Sequence, residues 1–231
     1  VLVRHLLQYC LGCPRTPTNR DLNVTTSKDT AYSHLSPEAQ ARIETVRRIA
    51  NEVVGPAAKS VDQEARYPAE AMQALPQSLG GFGSTLVELG HMCEALGQRC
   101  ASAAMVFAMH QIQVACVVRH GTTPFFQNYM KELVQDQRVI ASVTSEAGVG
   151  GSVRTSICPV ERDGEACSIR KVGTVVSYGE AADDLLITVR RNADAASNDQ
   201  AMVLVRKSQG DMQVLSTWDA MGMRGTCSLG Y

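Results

Sequence analysis

The sequence predicts an α+β chain, an N-terminal all-α helical bundle followed by a small β-barrel or sandwich, and three observations carry that expectation. Between Ser36 and Gln137 apolar residues recur at spacings of three and four, the period of helices with one buried face. From Arg138 onward β-branched residues gather in short runs, about eight to twelve residues apart, of the kind that build small antiparallel sheets. At the switch lies Val143 to Ser152, Val-Thr-Ser-Glu-Ala-Gly-Val-Gly-Gly-Ser. Its hydroxyls, carboxylate and glycines offer a polar edge and unobstructed backbone N–H groups, suited to an anionic or hydrogen-bond-rich cofactor, although such loops are also ordinary turns. The domains expected are a poorly ordered leader or linker over 1–35, a helical domain over 36–137 and a β domain over 138–231.

The bulk numbers narrow the function classes. At 231 residues, with 22 basic against 23 acidic side chains and a net charge of −1, the chain has no electrostatic footprint for nucleic acid or an anionic membrane. Hydrophobic residues make up 45%, without an uninterrupted apolar run near the ~18 that spans a bilayer. A soluble, cytoplasmic protein with no nucleic-acid or membrane partner is expected. Eight scattered cysteines suit a reducing compartment. Cys10 and Cys13 form a lone Cys-x-x-Cys with no second pair at metal spacing, so no metal site is expected.

Residues 1–35 carry Arg4, Arg15 and Arg20, several hydroxyl residues and few acids, a composition that fits a flexible leader and also resembles a transit peptide. Ser36-Pro37-Glu38 starts a helix with a hydroxyl cap, a proline whose missing N–H costs nothing there, and an acid near the positive end. Ile43, Val46, Ile49, Ala50 and Val53 mark its buried face, and it is expected to run to about Ser60. Ser84 is expected to cap a helix to about Leu96, and Ser102 another that ends at Gly121. The latter is apolar nearly all round, through Met105, Val106, Phe107, Met109, Ile112, Val114, Val117 and Val118, which suits the middle of a bundle. His110, lone in that stretch, reads as a satisfied core histidine. Thr123-Pro124 opens a further helix that closes near Gln137. Val139, Ile157, Ile169, Val175, Val176, Leu186, Ile187, Val189, Val203, Val205 and Val214 then mark the β runs, separated by Asp163-Gly164, Gly179, Ser197-Asn198 and Gly210. The chain begins at Val1 and ends at Tyr231 in what reads as a turn before another strand, so it reads as a fragment.

Three landmarks in order carry a resemblance. They are the loop Ser145 to Ser152, the segment Gly173-Thr-Val-Val-Ser-Tyr-Gly-Glu-Ala-Ala-Asp183, and Trp218-Asp-Ala-Met-Gly-Met-Arg-Gly-Thr-Cys-Ser228. They resemble the Thr-Glu-Pro-Gly-Ala-Gly-Ser-Asp loop, the Trp-Ile-Thr-Asn-Gly segment and the Gly-Met-Arg-Gly-Thr-type turn of the acyl-CoA dehydrogenase family. Tyr67-Pro68 and Pro76-Gln-Ser-Leu-Gly-Gly-Phe-Gly83 resemble two turns of that family's helical domain, with a shortened junction at Leu75-Pro76.

The resemblance implies FAD as cofactor and assigns site residues. Thr144 and Ser145 would meet the isoalloxazine edge, and the Gly150 and Gly151 N–H groups the pyrophosphate. Ser177 stands where the family's threonine bonds flavin N5, and Val175 where its tryptophan packs on the ring. Gly151 and Ser152 replace the family's serine and aspartate. Ser152 is assigned to substrate, as are Met105 and Met109, which line an acyl tunnel on this reading and plain core otherwise. Arg224 would meet a phosphate or, as the preferred reading, pair with Asp219.

The activity so implied is oxidation of an acyl-CoA thioester at Cα–Cβ, with electrons passed to an electron-transfer flavoprotein. The family's catalytic base and the adenine-binding residues sit in a C-terminal helical bundle that this sequence lacks, so the catalytic residues stay unassigned. A homodimer or homotetramer is implied for the full-length form. The alternatives are a flavin-dependent monooxygenase on the same fold, fed by a flavin reductase, and an inactive truncated flavin-binding fragment.

Overall fold

A computed structural model describes residues 32–75, 83–164 and 166–231. The leader up to residue 31, with Cys10 and Cys13, and the junction at 76–82 lie outside the described residues.

Ser36 caps α1 (Pro37–Ile49), its hydroxyl accepting from the Ala39 N–H at 3.2 Å, as the sequence predicts. The helix continues through a π-helical stretch, Ala50–Val54, into α2 (Gly55–Gln63). Pro56 accounts for the break in pattern: it has no N–H for the Glu52 carbonyl, so the ladder widens just before it. After α3 (Ala69–Ala74) comes α4 (Leu86–Gly97), which starts one residue later than expected, because Thr85 and not Ser84 accepts from the Glu88 N–H. α5 (Ala101–His120) begins after Cys100, which makes no side-chain cap. Ser102, the expected cap, lies buried inside its first turn. α6 (Pro124–Asp136) closes on Gln137 in the left-handed region.

α5 is also not buried all round. Val106, Phe107, Val114 and Val117 face the core, whereas Met105 and Ile112 are 38% and 54% exposed. Met105, Met109, Ile112 and Cys116 form one stripe by helical spacing. Among the described residues α5 is the one helix long and apolar enough to cross a membrane, and half of its apolar window is buried within this fold.

The β region follows the helices, as predicted, but no barrel closes among the described residues. β1 (Ile140–Val143), β4 (Asp184–Arg190) and β5 (Gln200–Arg206) form one sheet in the order β1-β4-β5, and β2 (Glu161–Asp163) pairs with β3 (Ala166–Ser168) in a separate hairpin. The sheet is mixed where an antiparallel one is expected: β1 runs parallel to β4, and only β4 and β5 are antiparallel. A parallel pair needs a long crossover. Residues 144–183, which hold the first two landmarks, are that crossover.

Alternation along the strands sets the two faces of the sheet. Ala141, Val143, Leu185, Ile187 and Val189 join the main core with the helices. Ile140 and Leu186 pack with Val114 and Val117 of α5 and Tyr129 and Leu133 of α6. β4 is therefore buried on both faces, and its first residue, Asp184, is held in a polar knot. Arg138 reaches both Asp184 oxygens, at 2.7 and 2.6 Å, and the Tyr129 hydroxyl donates to one of them at 2.7 Å.

His110 behaves as the sequence predicts. It is fully buried, and its Nδ1 accepts from the Ile140 N–H at 3.0 Å, which fixes that nitrogen as unprotonated and ties α5 to the start of β1.

Candidate functional site

The three landmarks meet through backbone and hydroxyl bonds. The Ala147 N–H donates to the Val172 carbonyl at 3.1 Å, seating the Gly-rich loop beside the start of the second landmark. The Ser145 hydroxyl accepts from the Val175 N–H at 2.9 Å and donates to the Val175 carbonyl at 2.6 Å. The third landmark lies along the other edge of the second: Val176 donates to Leu229 and Tyr178 to Thr226, each at 2.7 Å. Gly173 and Tyr231 exchange both N–H···O bonds across the same pair, at 2.8 and 2.9 Å.

The loop needs its glycines for two reasons. Gly148, Gly150 and Gly151 have φ of 93°, 60° and 80°, which residues with a Cβ rarely adopt. Open space surrounds Gly150 and Gly151 where a Cβ would stand, so a ligand can approach that backbone. Ser152 is exposed on the same loop. Its N–H closes a turn on Val149 at 3.1 Å.

Glu146 does not belong to the loop's outward polar edge, contrary to the sequence expectation. Its carboxylate is turned inward and staples the two ends of the loop, accepting from the Ser156 hydroxyl at 2.8 Å and the Ile157 N–H at 3.2 Å. Lys171, which sequence reasoning missed, stands 3.6 Å from that carboxylate and donates to the Thr188 carbonyl at 2.5 Å. Burial pushes the Lys171 ammonium below its ordinary range, and Glu146 opposes the shift. No spacing signal marks Lys171, because its partners come from β4 and the loop.

At the positions expected from the sequence to meet a ring edge, Thr144 hydrogen-bonds the Ser142 hydroxyl at 2.9 Å and lies 3.4 Å from that of Thr188. Val175 is 47% exposed, whereas Val176 beside it is fully buried. Ser177 is buried and bonded to Ser228 at 2.8 Å. The segment therefore presents an apolar side chain beside two hydroxyl-bearing residues. Tyr178, where the family has asparagine, takes a φ of 45° and donates to the Ile140 carbonyl at 3.1 Å.

The structure brings Thr144, Ser145, Val175 and Ser177 together, with Gly150 and Gly151 on the adjoining loop. Met105 and Met109 lie on α5, Met105 38% exposed and Met109 packed against the main core. Arg224 faces Asp219 at 3.8 Å, as preferred from the sequence, and also Asp62 of α2 at 3.5 Å, which the sequence could not indicate. Gly225 beside it sits so close to α2 and α5 that a Cβ would stand 2.4 Å from Val61 and 3.1 Å from Ser102. No metal-ligating cluster exists among the described residues.

The donor set suits a flavin on two counts. A glycine backbone open to solvent can meet a pyrophosphate, and an exposed aliphatic side chain flanked by hydroxyls can meet the edge of a polar aromatic ring.

Residues 36–137 match the family described as acyl-CoA dehydrogenase, N-terminal domain. The chain is 20% identical over 204 residues to cyclohex-1-ene-1-carbonyl-CoA dehydrogenase of Geobacter metallireducens, a match that covers 84% of this chain and 54% of that protein. Its fold matches butyryl-CoA dehydrogenase of Megasphaera elsdenii with a TM-score of 0.74 at 13% identity, covering 85% of this chain and 55% of that one. A structure described as the FAD complex of PigA matches with a TM-score of 0.68 at 17% identity, covering 84% and 54%. The chain spans about half the length of these relatives.

Proposed function

We propose that the chain belongs to the acyl-CoA dehydrogenase family, whose N-terminal domain residues 36–137 match, and that it forms the helical and flavin-holding portion of an FAD-dependent enzyme that oxidises an acyl-CoA thioester at Cα–Cβ. The observation that carries this reading is the pair of hydrogen bonds between the Ser145 hydroxyl and the Val175 backbone, which seats the Gly-rich loop against the segment where the family holds the ring. The match to a protein solved as an FAD complex supports the choice of flavin.

On this reading Gly150 and Gly151 offer their N–H groups to the pyrophosphate, and their lack of side chains lets the phosphates approach. Thr144, Ser145 and Ser177 line the ring edge, and Val175 gives the ring an aliphatic neighbour where the family has tryptophan. Glu146 and Lys171 act from within: their buried pair fixes the loop ends, so its geometry is set before a ligand arrives. When bound, FAD supplies the two-electron acceptor that no side chain provides. Ser152, Met105 and Met109 are the residues we assign to the acyl thioester. Electrons pass on to an electron-transfer flavoprotein, and the full-length protein is a homo-oligomer.

The test is the visible absorbance of the purified full-length protein, before and after anaerobic addition of a panel of acyl-CoA thioesters. A bound flavin band that bleaches with at least one thioester is the expected result. A protein that takes up no FAD overturns the flavin reading, and a flavin that stays oxidised with every thioester overturns the acyl-CoA reading alone.

A further inference from the structure

Three buried hydroxyls run inward from the ring edge. Ser177 Oγ lies 2.8 Å from Ser228 Oγ, Ser228 Oγ lies 2.8 Å from Thr226 Oγ1, and Thr226 donates to the Met223 carbonyl at 2.9 Å. The three residues are 8%, 5% and 3% exposed, so no bulk water competes for these contacts.

Each hydroxyl has one proton, and counting from the inner end assigns all three. A carbonyl oxygen can only accept, so the Thr226 proton goes to Met223. Ser228 must then donate to Thr226, and Ser177 must donate to Ser228. Any other order sets two lone pairs against each other inside a low-dielectric pocket, where an unsatisfied contact is costly. Ser177 is left with lone pairs and no proton for a ligand. The second ring-edge hydroxyl reaches the same state by another route, because Ser145 gives its proton to the Val175 carbonyl.

We propose that the Ser177–Ser228–Thr226 chain fixes the polarity of the ring-edge site, so that Ser177 meets its ligand only as a hydrogen-bond acceptor. This rests on the flavin reading above. An acceptor pairs with the reduced ring, which carries N–H at N5, and opposes the oxidised ring, whose N5 presents a lone pair. Ser228 and Thr226 are therefore positioning residues that tune the balance between the two forms without touching the ring.

The experiment measures the midpoint potential of FAD bound to the full-length protein by anaerobic titration against reference dyes. In Ser228→Ala the Ser177 proton loses its inward acceptor and can turn to oxidised N5. Thr226→Val has the same effect one step removed, since Ser228 can then donate outward to Ser177 and release its proton. Each variant is expected to lower the preference for reduced over oxidised FAD about tenfold, which for a two-electron couple lowers the potential by about 30 mV. Ser228→Thr keeps a hydroxyl and should keep the wild-type value. Ser177→Ala combined with Ser228→Ala should shift no further than Ser177→Ala alone, an outcome that a merely structural role for Ser228 would not give.

Unchanged or raised potentials in Ser228→Ala and Thr226→Val, with normal FAD uptake and melting, overturn the fixed polarity and leave the flavin reading standing. A wild-type protein that binds no FAD overturns both.

Discussion

The Ser145 hydroxyl holds both backbone groups of Val175, accepting from its N–H at 2.9 Å and donating to its carbonyl at 2.6 Å. One side chain thereby replaces a pair of ladder bonds between the end of β1 and the segment at 173–178. Ser145→Ala removes both bonds and leaves the Val175 N–H without its partner. Loss of such a bond costs on the order of 1 kcal/mol. Faster amide hydrogen exchange at Val175, with the exchange of β4 unchanged, is the expected outcome.

The Arg138–Asp184–Tyr129 knot fastens α6 and the approach to β1 onto β4. Asp184 has no solvent exposure, so Asp184→Ala strands a guanidinium and a phenol, and breaking a buried pair of this kind costs roughly 3–5 kcal/mol. The Arg191–Asp199 pair is 43% and 45% exposed, and Asp199→Ala should cost under about 1 kcal/mol. Urea unfolding of the two variants side by side checks the contrast.

Gly225→Ala and Gly210→Ala form a matched pair. A Cβ at Gly225 would stand 2.4 Å from Val61 Cγ1 and 2.8 Å from the Arg66 carbonyl, so the turn must move off α2, at a cost of about 1–3 kcal/mol. At Gly210 nothing lies within 4 Å and φ is −150°, so alanine should be neutral or slightly stabilising. Thermal melting separates the two, and equal melting temperatures would contradict the packing of the third landmark against the helices.

Alkaline pH should destabilise the fold. Burial raises the phenols of Tyr67, Tyr129 and Tyr178 above their ordinary range, with Asp184 adding to the shift at Tyr129, and pushes Tyr231 up to about 12. Between the unfolded value, about 10, and the folded one, the unfolded chain binds fewer protons, so stability is fully present below about pH 10 and falls above it. Cys93, raised to about 11 by burial, acts in the same direction from lower pH. Lys171, whose folded value is lowered, acts in the opposite sense, gaining stability as pH rises towards its unfolded value, but it is one group against several. Tyr67→Phe should make the decline shallower by up to about 1.4 kcal/mol per pH unit in urea titrations above pH 10. An unchanged slope would mean that Tyr67 titrates normally in the folded protein.

Local chemistry made much of this protein legible in advance. The cap at Ser36, the prolines that open α1 and α6, the apolar period of α1 and the turn residues after Arg138 each act over a few neighbours, so the helical region and its β successor could be read from spacing. The Gly-rich loop could be placed for the same reason, since positive φ selects glycine at the position itself. The cap of α4 is ambiguous in sequence because Ser84 and Thr85 stand side by side, and α5 starts after Cys100 without any side-chain cap, so spacing marks neither start to the residue.

What the sequence determined by itself is therefore the order of elements, the two-region organisation and the three landmarks with their candidate ring-edge and loop residues. Only the tertiary structure decided that β1 runs parallel to β4, that one face of α5 stays exposed, and that Glu146 turns inward to meet Lys171. It alone decided that the Ser177, Ser228 and Thr226 hydroxyls lie in one line of contacts. These outcomes depend on groups up to 51 residues apart meeting in space, as Ser177 and Ser228 do. Spacing rules reach about one helical turn or one strand pair, and longer pairings are chosen by which burial and hydrogen-bond partners the whole chain can satisfy at once.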